Sequence, residues 1–367
     1  MKRLLLLGAG HAHVHVLRQL ARAPLANVEV TLVSPYQRQM YSGMVPGWMA
    51  GRYRLEDCAF AVEPLARAAG VKWLHDRVLA LDVDIQQARL AEGGRLSYDW
   101  LSVDTGSVIE ARGLRGAAEH ALRVRPIEAF AQRWSDCMAV SDFGLALTVV
   151  VIGAGAAGVE LALAAAARMA PLGRVVLVTG GPEPLASHPA LARHLALRAL
   201  RRADVTVMRL PCVEITPEHV HLAGDDDGRI DLPCQVAIVC TGGEAPRWLP
   251  ESGLQLDERG FIATRPTLQS VSHPKVFAAG DVASRADVPH PRSGVYAVRS
   301  GPPLSDNLRR ALGDQPLKTW RPPARTLNLL ACGDGRAIAS WGPLAATGAW
   351  AWKWKDRIDR AFLAQLN

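Results

Sequence analysis

The residues that indicate chemistry in this sequence are glycines in two similar segments, LLLLGAGHAHVHV and VVVIGAGAAGVE. Each segment places a Gly-Ala-Gly turn after an apolar run. Gly8 and Gly153 permit a tight turn, and Gly10 and Gly155 let the backbone come close to a pyrophosphate. The N-terminus of the helix that follows offers free N–H groups and a positive potential to that anion. Both segments therefore predict the binding of a dinucleotide phosphate.

The two segments belong to copies of one strand–turn–helix–strand unit. Gly8 precedes Ser34, and Gly153 precedes Thr179, by the same 26 residues, and each second strand ends there. Gly158 completes the glycine pattern of the second copy. A repeat with equal spacing, in the expected structural context, is much more specific for a dinucleotide-binding fold than one glycine pair.

Three further strands end in residues suited to the same ligands. YDWLSVDTGS and CQVAIVCTGG are apolar runs that end in Thr105-Gly106 and Thr241-Gly242, where a backbone can turn past a nucleotide. HPKVFAAGDVAS delivers Gly280-Asp281. The carboxylate of Asp281 can accept hydrogen bonds from ribose or ribityl hydroxyls, and the glycine admits the backbone close to the ligand.

The composition predicts a folded protein of more than one domain, because the 367 residues are 49% hydrophobic and 21% charged. No apolar run reaches the roughly 18 residues of a membrane helix. Residues 4–7 are too short for a secretion signal. The net charge of +7 is dispersed, so anionic ligands are expected and a nucleic-acid partner is not. Six cysteines without a CxxC pair indicate a reducing, cytoplasmic location.

Three histidines follow the first glycine turn. His11 and His15 share one helix face, whereas His13 points elsewhere and occupies the position of the third glycine. The three rings cannot converge on one ion, so we predict no metal site. We expect His13 and His15 to take part in the packing of the helix, and His11 to lie near the phosphate.

The order of glycine turn, Thr-Gly, glycine turn, Thr-Gly and Gly-Asp resembles the two-dinucleotide-binding flavoproteins, the pyridine nucleotide-disulfide oxidoreductase superfamily. GAGHAHVHVL, VTLVSPYQRQMYSGMVPG, PRSGVYAVRSGP and WAWKWKDRIDRAF resemble the flavoprotein module fused to selenophosphate synthetases, which is similar to type II NADH dehydrogenases and sulfide:quinone oxidoreductases. The resemblance implies an α/β fold with two Rossmann-like dinucleotide-binding domains. The NAD(P) domain (113–254) would be inserted into the FAD domain (1–112 and 255–320), and a small C-terminal element (321–367) would follow.

The same resemblance implies two sets of binding residues, one for FAD and one for NADH or NADPH. The FAD set is Gly8, Gly10, His11, Ser34, Met44, Val45, Pro46, Arg77, Val78, Thr105, Gly106, Gly280, Asp281, Val295, Tyr296 and Ala297. The nicotinamide set is Gly153, Gly155, Gly158, Glu160, Thr179, Thr241 and Gly242. Glu160 is either a catalytic proton relay or positioning group, or an ordinary carboxylate at a helix N-terminus. Glu183, several residues beyond the strand end that usually carries an acid, favours NADH.

The cysteines predict how electrons leave the flavin. Disulfide reductases of this superfamily carry a cysteine pair shortly after the first unit, but residues 35–51 contain no cysteine and Cys58 stands alone. Electrons are therefore expected to pass directly to a quinone-like or other small acceptor. Two alternatives stay open. Cys332 in LLACGDG suggests oxidation of a sulfur or selenium compound, and the basic, Trp-rich C-terminus suggests a non-enzymatic redox sensor that binds a partner.

The C-terminal segment predicts an amphipathic helix. One apolar stripe recurs every four residues, and the basic residues lie away from it. Such a helix can lie on the inner face of a membrane, dock on the protein itself or form a homodimer contact. Arg299 and Ser300 stand where quinone-reducing relatives usually carry glutamine. The stripe is Trp350, Trp354, Ile358, Phe362 and Leu366, and the cations are Lys353, Lys355, Arg357 and Arg360.

Overall fold

The computed structural model describes residues 1–109, 111–141, 146–224 and 228–366. Asn367, the last residue of the predicted C-terminal segment, lies outside them. The strands are β1 Lys2–Leu7, β2 Val28–Val33, β3 Arg38–Met40, β4 Ala59–Ala61, β5 Lys72–Leu74, β6 Val78–Asp82, β7 Gln87–Leu90, β8 Arg95–Ser97, β9 Trp100–Val103, β10 Ala121–Arg123, β11 Thr148–Ile152, β12 Arg174–Val178, β13 Val205–Met208, β14 Cys212–Ile215, β15 His219–Ala223, β16 Arg229–Pro233, β17 Val236–Val239, β18 Ile262–Thr264, β19 Val276–Ala278, β20 Ala283–Arg285, β21 Leu327–Ala331, β22 Ala337–Trp341 and β23 Leu344–Gly348.

The helices alternate with these strands in most of the chain. They are α1 His11–Arg22, α2 Val45–Met49, α3 Val62–Ala68, α4 Ala117–His120, α5 Ile127–Ser141, α6 Ala156–Met169, α7 Ala190–Arg202, α8 Gly294–Leu312 and α9 Ala349–Leu363. Short 3-10 helices lie at Ser42–Met44, Leu55–Cys58 and Gly280–Val282.

The first sheet is parallel, with the strand order β19-β9-β1-β2-β5. Its central strand contains the run of four leucines. Leu4 and Leu6 belong to one hydrophobic core, whereas Leu5 and Leu7 belong to the core on the opposite face of the sheet. Successive side chains of a strand point to opposite faces, so a strand covered on both sides is apolar at every position. The leucine run is thus a buried strand.

The second sheet repeats this arrangement with the order β10-β17-β11-β12-β13, again parallel throughout. All its strands come from the part of the chain between β9 and β19. The second unit is therefore inserted into the first, which confirms the predicted α/β fold with two Rossmann-like domains. The exact boundaries of 112, 254 and 320 stay a prediction.

Two chain segments join the units and pair with each other. Val108 and Glu244 exchange backbone hydrogen bonds, at 3.0 Å from Val108 N to Glu244 O and 2.8 Å in the opposite direction. The pair fixes the relative position of the two Thr-Gly turns, because each turn lies only a few residues before its member of the pair.

The C-terminal element is an antiparallel sheet, β21-β22-β23, covered by α9. It packs on α6 of the second unit. Gly333 has a positive φ of +75°, and a Cβ there would lie 2.4 Å from the carbonyl oxygen of Leu163. The glycine thus permits the backbone contact between this element and α6.

Helix α6 packs closely on its sheet because its buried face carries small residues. At its first turn, a Cβ on Gly158 would lie 1.7 Å from the carbonyl oxygen of Gly153. A Cβ on Gly155 would meet no atom within 4 Å. The third glycine of this pattern is therefore required for the close packing of α6 on the turn, whereas the second leaves open space beside the turn.

The two glycines predict opposite effects of a methyl group on stability. Gly158→Ala forces the helix away from the strand, and overpacking of this kind costs about 1–3 kcal/mol or more. We expect the thermal midpoint of the variant to fall by about 2 °C or more, measured by circular dichroism. Gly155→Ala is the matched control and should melt with the wild type. Equal midpoints for all three proteins would contradict the packing at Gly158.

Candidate functional site

The first glycine turn is closed from within by Asp104, which directly follows β9. Its Oδ2 accepts hydrogen bonds from the backbone N–H groups of Ala12 (2.8 Å) and His13 (2.9 Å) in the first turn of α1. Those N–H groups have no partner within the helix, so the carboxylate caps it. A Cβ on Gly8 would lie 2.4 Å from Asp104 O, and one on Gly10 would lie 2.5 Å from Asp104 Oδ1. The space beside Gly10 thus belongs to Asp104.

Asp104 also contacts the Gly-Asp turn that follows β19. Gly280 has φ +67°, and a Cβ there would lie 2.4 Å from Asp104 Oδ1. Asp104 is 3% exposed, and burial raises its pKa to about 8 although the two N–H bonds oppose the shift. The sequence analysis did not select Asp104. Its signal is an acidic residue directly before Thr-Gly at the end of a buried strand.

The first two histidines after the glycine turn have different environments. His13 is buried, its Nδ1 lies 2.6 Å from Gly8 O and its Nε2 lies 2.7 Å from Ser102 Oγ. His11 is partly buried, and its ring centroid lies 5.4 Å from that of Tyr41 and 5.9 Å from that of Phe362. Burial lowers both histidine pKa values to about 4, so both rings are neutral at pH 7. His11 can give a phosphate a hydrogen bond but no positive charge.

Two hydroxyls near the first turn are buried without a partner among the described residues. They are Ser34 Oγ, directly after β2, and Thr105 Oγ1, directly after Asp104. A buried polar atom without a hydrogen bond is destabilising and calls for an explanation such as a ligand. Gly106 has φ +72°, and a Cβ there would meet no atom within 4 Å. These residues fit a hydroxyl-rich cofactor laid along the strand ends.

Asp281 forms an ion pair with Arg125, a residue that the sequence analysis did not select. Arg125 Nη1 lies 2.6 Å from Asp281 Oδ2 and also donates to Ser107 Oγ. Arg125 follows β10, so the second unit supplies this cation to the first. Ser107 and Arg125 carry no sequence pattern that links them to Asp281, and only the packing of the two units brings them together.

The other residues of the predicted FAD set lie on several elements of the chain. Tyr296 and Ala297, in the first turn of α8, line a narrow cavity of about 10 Å³ with Gly280 and Asp281. Tyr296 donates to Pro323 O at 3.1 Å. Met44, Val45 and Pro46 are buried at the start of α2, Val78 and Val295 are partly buried, and Arg77 is exposed.

The second glycine turn opens on a cleft of about 430 Å³. The cleft brings together four residues of the predicted nicotinamide set, which are Gly153, Thr179, Thr241 and Gly242. Gly155 and Gly158 belong to the same turn, at the start of α6. The parallel strands β11, β12 and β17 explain the convergence, because their carboxyl ends meet at one edge of the sheet.

Glu160 faces the C-terminal element. It is partly buried, and its Oε1 accepts a hydrogen bond from the backbone N–H of Ala331 at 2.7 Å. Burial raises its pKa to about 7, the charge of Lys355 opposes that shift, and the charge of Asp359 adds to it. Near neutral pH this carboxyl group can therefore hold or release a proton.

The inner face of α9 is polar. Lys355 Nζ donates to Gly43 O at 2.6 Å and to Asp359 Oδ2 at 2.8 Å, and both side chains are buried. Tyr41 hydrogen-bonds Asp359 and stacks on Phe362 with the ring centroids 4.6 Å apart. Burial raises the pKa of Asp359. Helix α9 thus packs on residues 41–43, which directly precede the predicted flavin-side residues.

The exposure of residues on α9 differs in part from the predicted amphipathic pattern. Trp350, Trp354 and Ile358 are 51%, 44% and 43% exposed. Lys355 was assigned to the basic flank, which is wrong, because it is buried against Gly43 and Asp359. Phe362 and Leu366 lie at the inner end of the stripe, where the helix approaches Tyr41. The exposed apolar face is therefore shorter than predicted and ends at Ile358.

All six cysteines are free thiols, and they are Cys58, Cys137, Cys212, Cys234, Cys240 and Cys332. Burial raises the pKa of Cys58 and of Cys332 to about 12, so neither is a thiolate at neutral pH. Among the described residues, no three His, Cys, Asp or Glu side chains are grouped to hold a metal ion. Within the same part of the chain, no helix is both long and apolar enough to span a bilayer.

Curated relatives align along most of the chain. An NADH dehydrogenase-like protein of Mycobacterium tuberculosis is 27% identical over 346 residues, which are 88% of this chain and 84% of that protein. A type II NADH:quinone oxidoreductase of Staphylococcus aureus is 22% identical over 374 residues, 95% of this chain and 92% of that protein.

Solved structures share the fold at lower identity. The sulfide:quinone oxidoreductase of Aquifex aeolicus superposes with a TM-score of 0.83 at 15% identity, over 100% of this chain and 91% of that one. NDH2 of Plasmodium falciparum in complex with NADH superposes with a TM-score of 0.82 at 13% identity, over 100% and 97%.

The family profile described as pyridine nucleotide-disulphide oxidoreductase matches residues 2–301, which include both glycine turns, both Thr-Gly turns and the Gly-Asp turn. The predicted resemblance is thereby confirmed, and the chain belongs to the pyridine nucleotide-disulphide oxidoreductase family.

Proposed function

We propose that this protein is an FAD-dependent NAD(P)H dehydrogenase that passes electrons to a small, quinone-like acceptor. The observation that carries the proposal is the pair of glycine turns, each at the carboxyl edge of its own parallel sheet. Buried, unpartnered hydroxyls of Ser34 and Thr105 flank the first turn, and the second opens on a cleft of about 430 Å³. Sites of these two kinds fit a resident dinucleotide and an exchanging one.

The first unit holds FAD in this proposal. The N-terminus of α1 and neutral His11 bind the pyrophosphate, Ser34 the adenosine ribose, and Thr105 and Asp281 the groups farther along the cofactor. Met44, Val45 and Pro46 lie on the flavin side, Val78 near the adenine, and Tyr296 and Ala297 near the pyrimidine edge. FAD, when bound, would supply the hydride-accepting and electron-passing chemistry, and these residues would orient it toward the nicotinamide and exclude water.

In this scheme Glu160 donates a proton and then takes one up again. Its Oε1 is held by Ala331 N, so the proton resides on Oε2. A pKa of about 7 lets this group donate to a reduced acceptor and recover the proton at neutral pH. Lys355, from the helix that leads toward the surface, keeps a positive charge near the carboxyl group.

The acceptor is proposed from the thiols and the relatives. No disulfide is available to take electrons, since all six cysteines are free. Relatives named as NADH dehydrogenase-like and as NADH:quinone oxidoreductase support a quinone acceptor. Oxidation of a sulfur or selenium compound through Cys332 is less well supported, because burial keeps that thiol protonated.

We further propose that the outer face of α9 rests on the cytoplasmic surface of a membrane. Trp350, Trp354 and Ile358 form one exposed stripe, and Trp341 and Leu344 of the β22–β23 hairpin are 49% and 63% exposed. Tryptophans with nearby cations suit the membrane interface, where a quinone is accessible.

The purified protein should be yellow, and this is the direct test of the proposed function. Anaerobic NADH or NADPH should bleach the flavin absorption, and a soluble quinone should restore it. Protein that stays colourless after incubation with FAD would overturn the cofactor assignment. Flavin that is reduced by a nicotinamide but not reoxidised by quinones would overturn only the acceptor.

Glu160→Gln tests the proton step. The variant should keep its flavin but lose about 100-fold in turnover with a quinone, the low end of general acid–base effects. A donor with a pKa of about 7 is protonated below that pH, so wild-type turnover should fall as the pH rises through 7. The variant should lack this dependence. Unchanged turnover, or a loss with the pH profile preserved, would argue against a proton donor at this position.

The membrane proposal is tested with exposed residues only. Replacing Trp350, Trp354 and Ile358 together by Ser should abolish flotation with phosphatidylglycerol vesicles without loss of bound flavin, because all three are exposed on the outer face of α9. Leu172→Ser, which changes a leucine that is 63% exposed on the second unit, is the matched control. Undiminished flotation of the triple variant contradicts the proposal. A change from dimer to monomer in that variant would assign the face to a second copy of the chain.

A further inference from the structure

The loop after β12 has no acidic residue where a nicotinamide site usually selects NADH. A carboxylate at the end of this strand binds the ribose hydroxyls of NADH and repels the 2′-phosphate of NADPH, whereas NADPH sites use arginine. Here Thr179, Gly180 and Gly181 follow the strand. The Thr179 hydroxyl donates to Gly181 O, so it is turned into its own loop. A Cβ on either glycine would meet no atom within 4 Å, so there is room for an extra phosphate.

Glu183, on which the expectation of NADH was based, is already paired. Its Oε2 lies 2.9 Å from Nη1 of Arg193 in the first turn of α7. Leu185 N donates to Ala154 O at 2.8 Å, and this bond folds the loop back onto the glycine turn. Thr179 and Gly180 line the cleft on this side, and the charge of Glu183 is compensated by its partner. Glu183 therefore does not take the role of the ribose-binding carboxylate that NADH sites have at the end of this strand.

A cation lies at the same edge of the sheet. Val178 is in register with Met208, and Thr179 N donates to Met208 O at 2.9 Å. The next residue is Arg209, whose side chain is exposed. Its backbone is therefore close to that of Thr179, which lines the cleft, at the end of the neighbouring strand. Arginine is the side chain best suited to a phosphate, because its planar guanidinium donates two parallel hydrogen bonds.

We propose that the cleft binds a 2′-phosphorylated dinucleotide, NADPH, more tightly than NADH, and that Arg209 contacts the 2′-phosphate. The proposal rests on the proposed function, in which this cleft takes a nicotinamide dinucleotide. It replaces the sequence-based preference for NADH. The adenosine end of the cleft decides the selection, so it can be measured without the flavin reaction.

The test compares 2′,5′-ADP with 5′-AMP as probes in titration calorimetry. The wild type should bind 2′,5′-ADP about tenfold more tightly than 5′-AMP, since a paired phosphate contributes on the order of 1.4 kcal/mol. Arg209→Gln should remove this difference and leave the affinity for 5′-AMP unchanged. Arg174→Gln, an exposed arginine at the opposite end of β12, is the matched control and should behave as the wild type. Thr179→Glu should weaken 2′,5′-ADP selectively.

The outcomes separate this proposal from the one it rests on. Equal wild-type affinities for the two probes, or an unchanged ratio in Arg209→Gln, would overturn the role of the 2′-phosphate while 5′-AMP still binds. Failure of both probes to bind, with neither NADPH nor NADH able to reduce the flavin, would overturn the nicotinamide site and this inference with it.

Discussion

A carboxylate at the start of a helix satisfies N–H groups that have no partner within that helix. In this chain the carboxylate of Asp104, directly after β9, does so for helix α1. Gly8 lies against the backbone of Asp104, and Gly10 and Gly280 lie against its carboxylate, so closely that a side chain on any of them would overlap Asp104. Segments distant in sequence are thus held against one side chain. The relative positions of the first glycine turn, the Thr-Gly turn and the Gly-Asp turn follow from this packing.

The two units share a topology but stabilise their glycine turns differently. In the first, the His13 ring bridges Gly8 O and Ser102, so an imidazole fills the place of a third glycine. In the second, Gly158 lies directly on Gly153 O, and Gly155 borders open space. Under the proposed function, the enclosed turn would hold the resident cofactor and the open turn the exchanging dinucleotide.

The sequence predicts what depends on local spacing. The glycine turns and the convergence of Thr179 with Thr241 follow from strand ends in a parallel sheet. Asp104 has a sequence signal in its place directly before Thr-Gly, but its bonds to α1 and the pairing of Arg125 with Asp281 depend on tertiary packing. The prediction that Lys355 lies on the basic outer flank of α9 rested on residue type alone and was wrong. The buried carboxylate of Asp359 stabilises the ammonium group of Lys355 within the protein. The domain boundaries and most binding roles stay predictions.

The inserted position of the second sheet bears on the order in which the protein is made. Its strands lie within a continuous stretch of chain, so it can fold while the ribosome is still at work. β19 is the edge strand of the first sheet and follows the inserted unit in the chain, and Lys355, which contacts Gly43, comes later still. The edge of the first sheet beside β9 is thus unpaired until the inserted unit has been made, and in that interval it needs protection from aggregation.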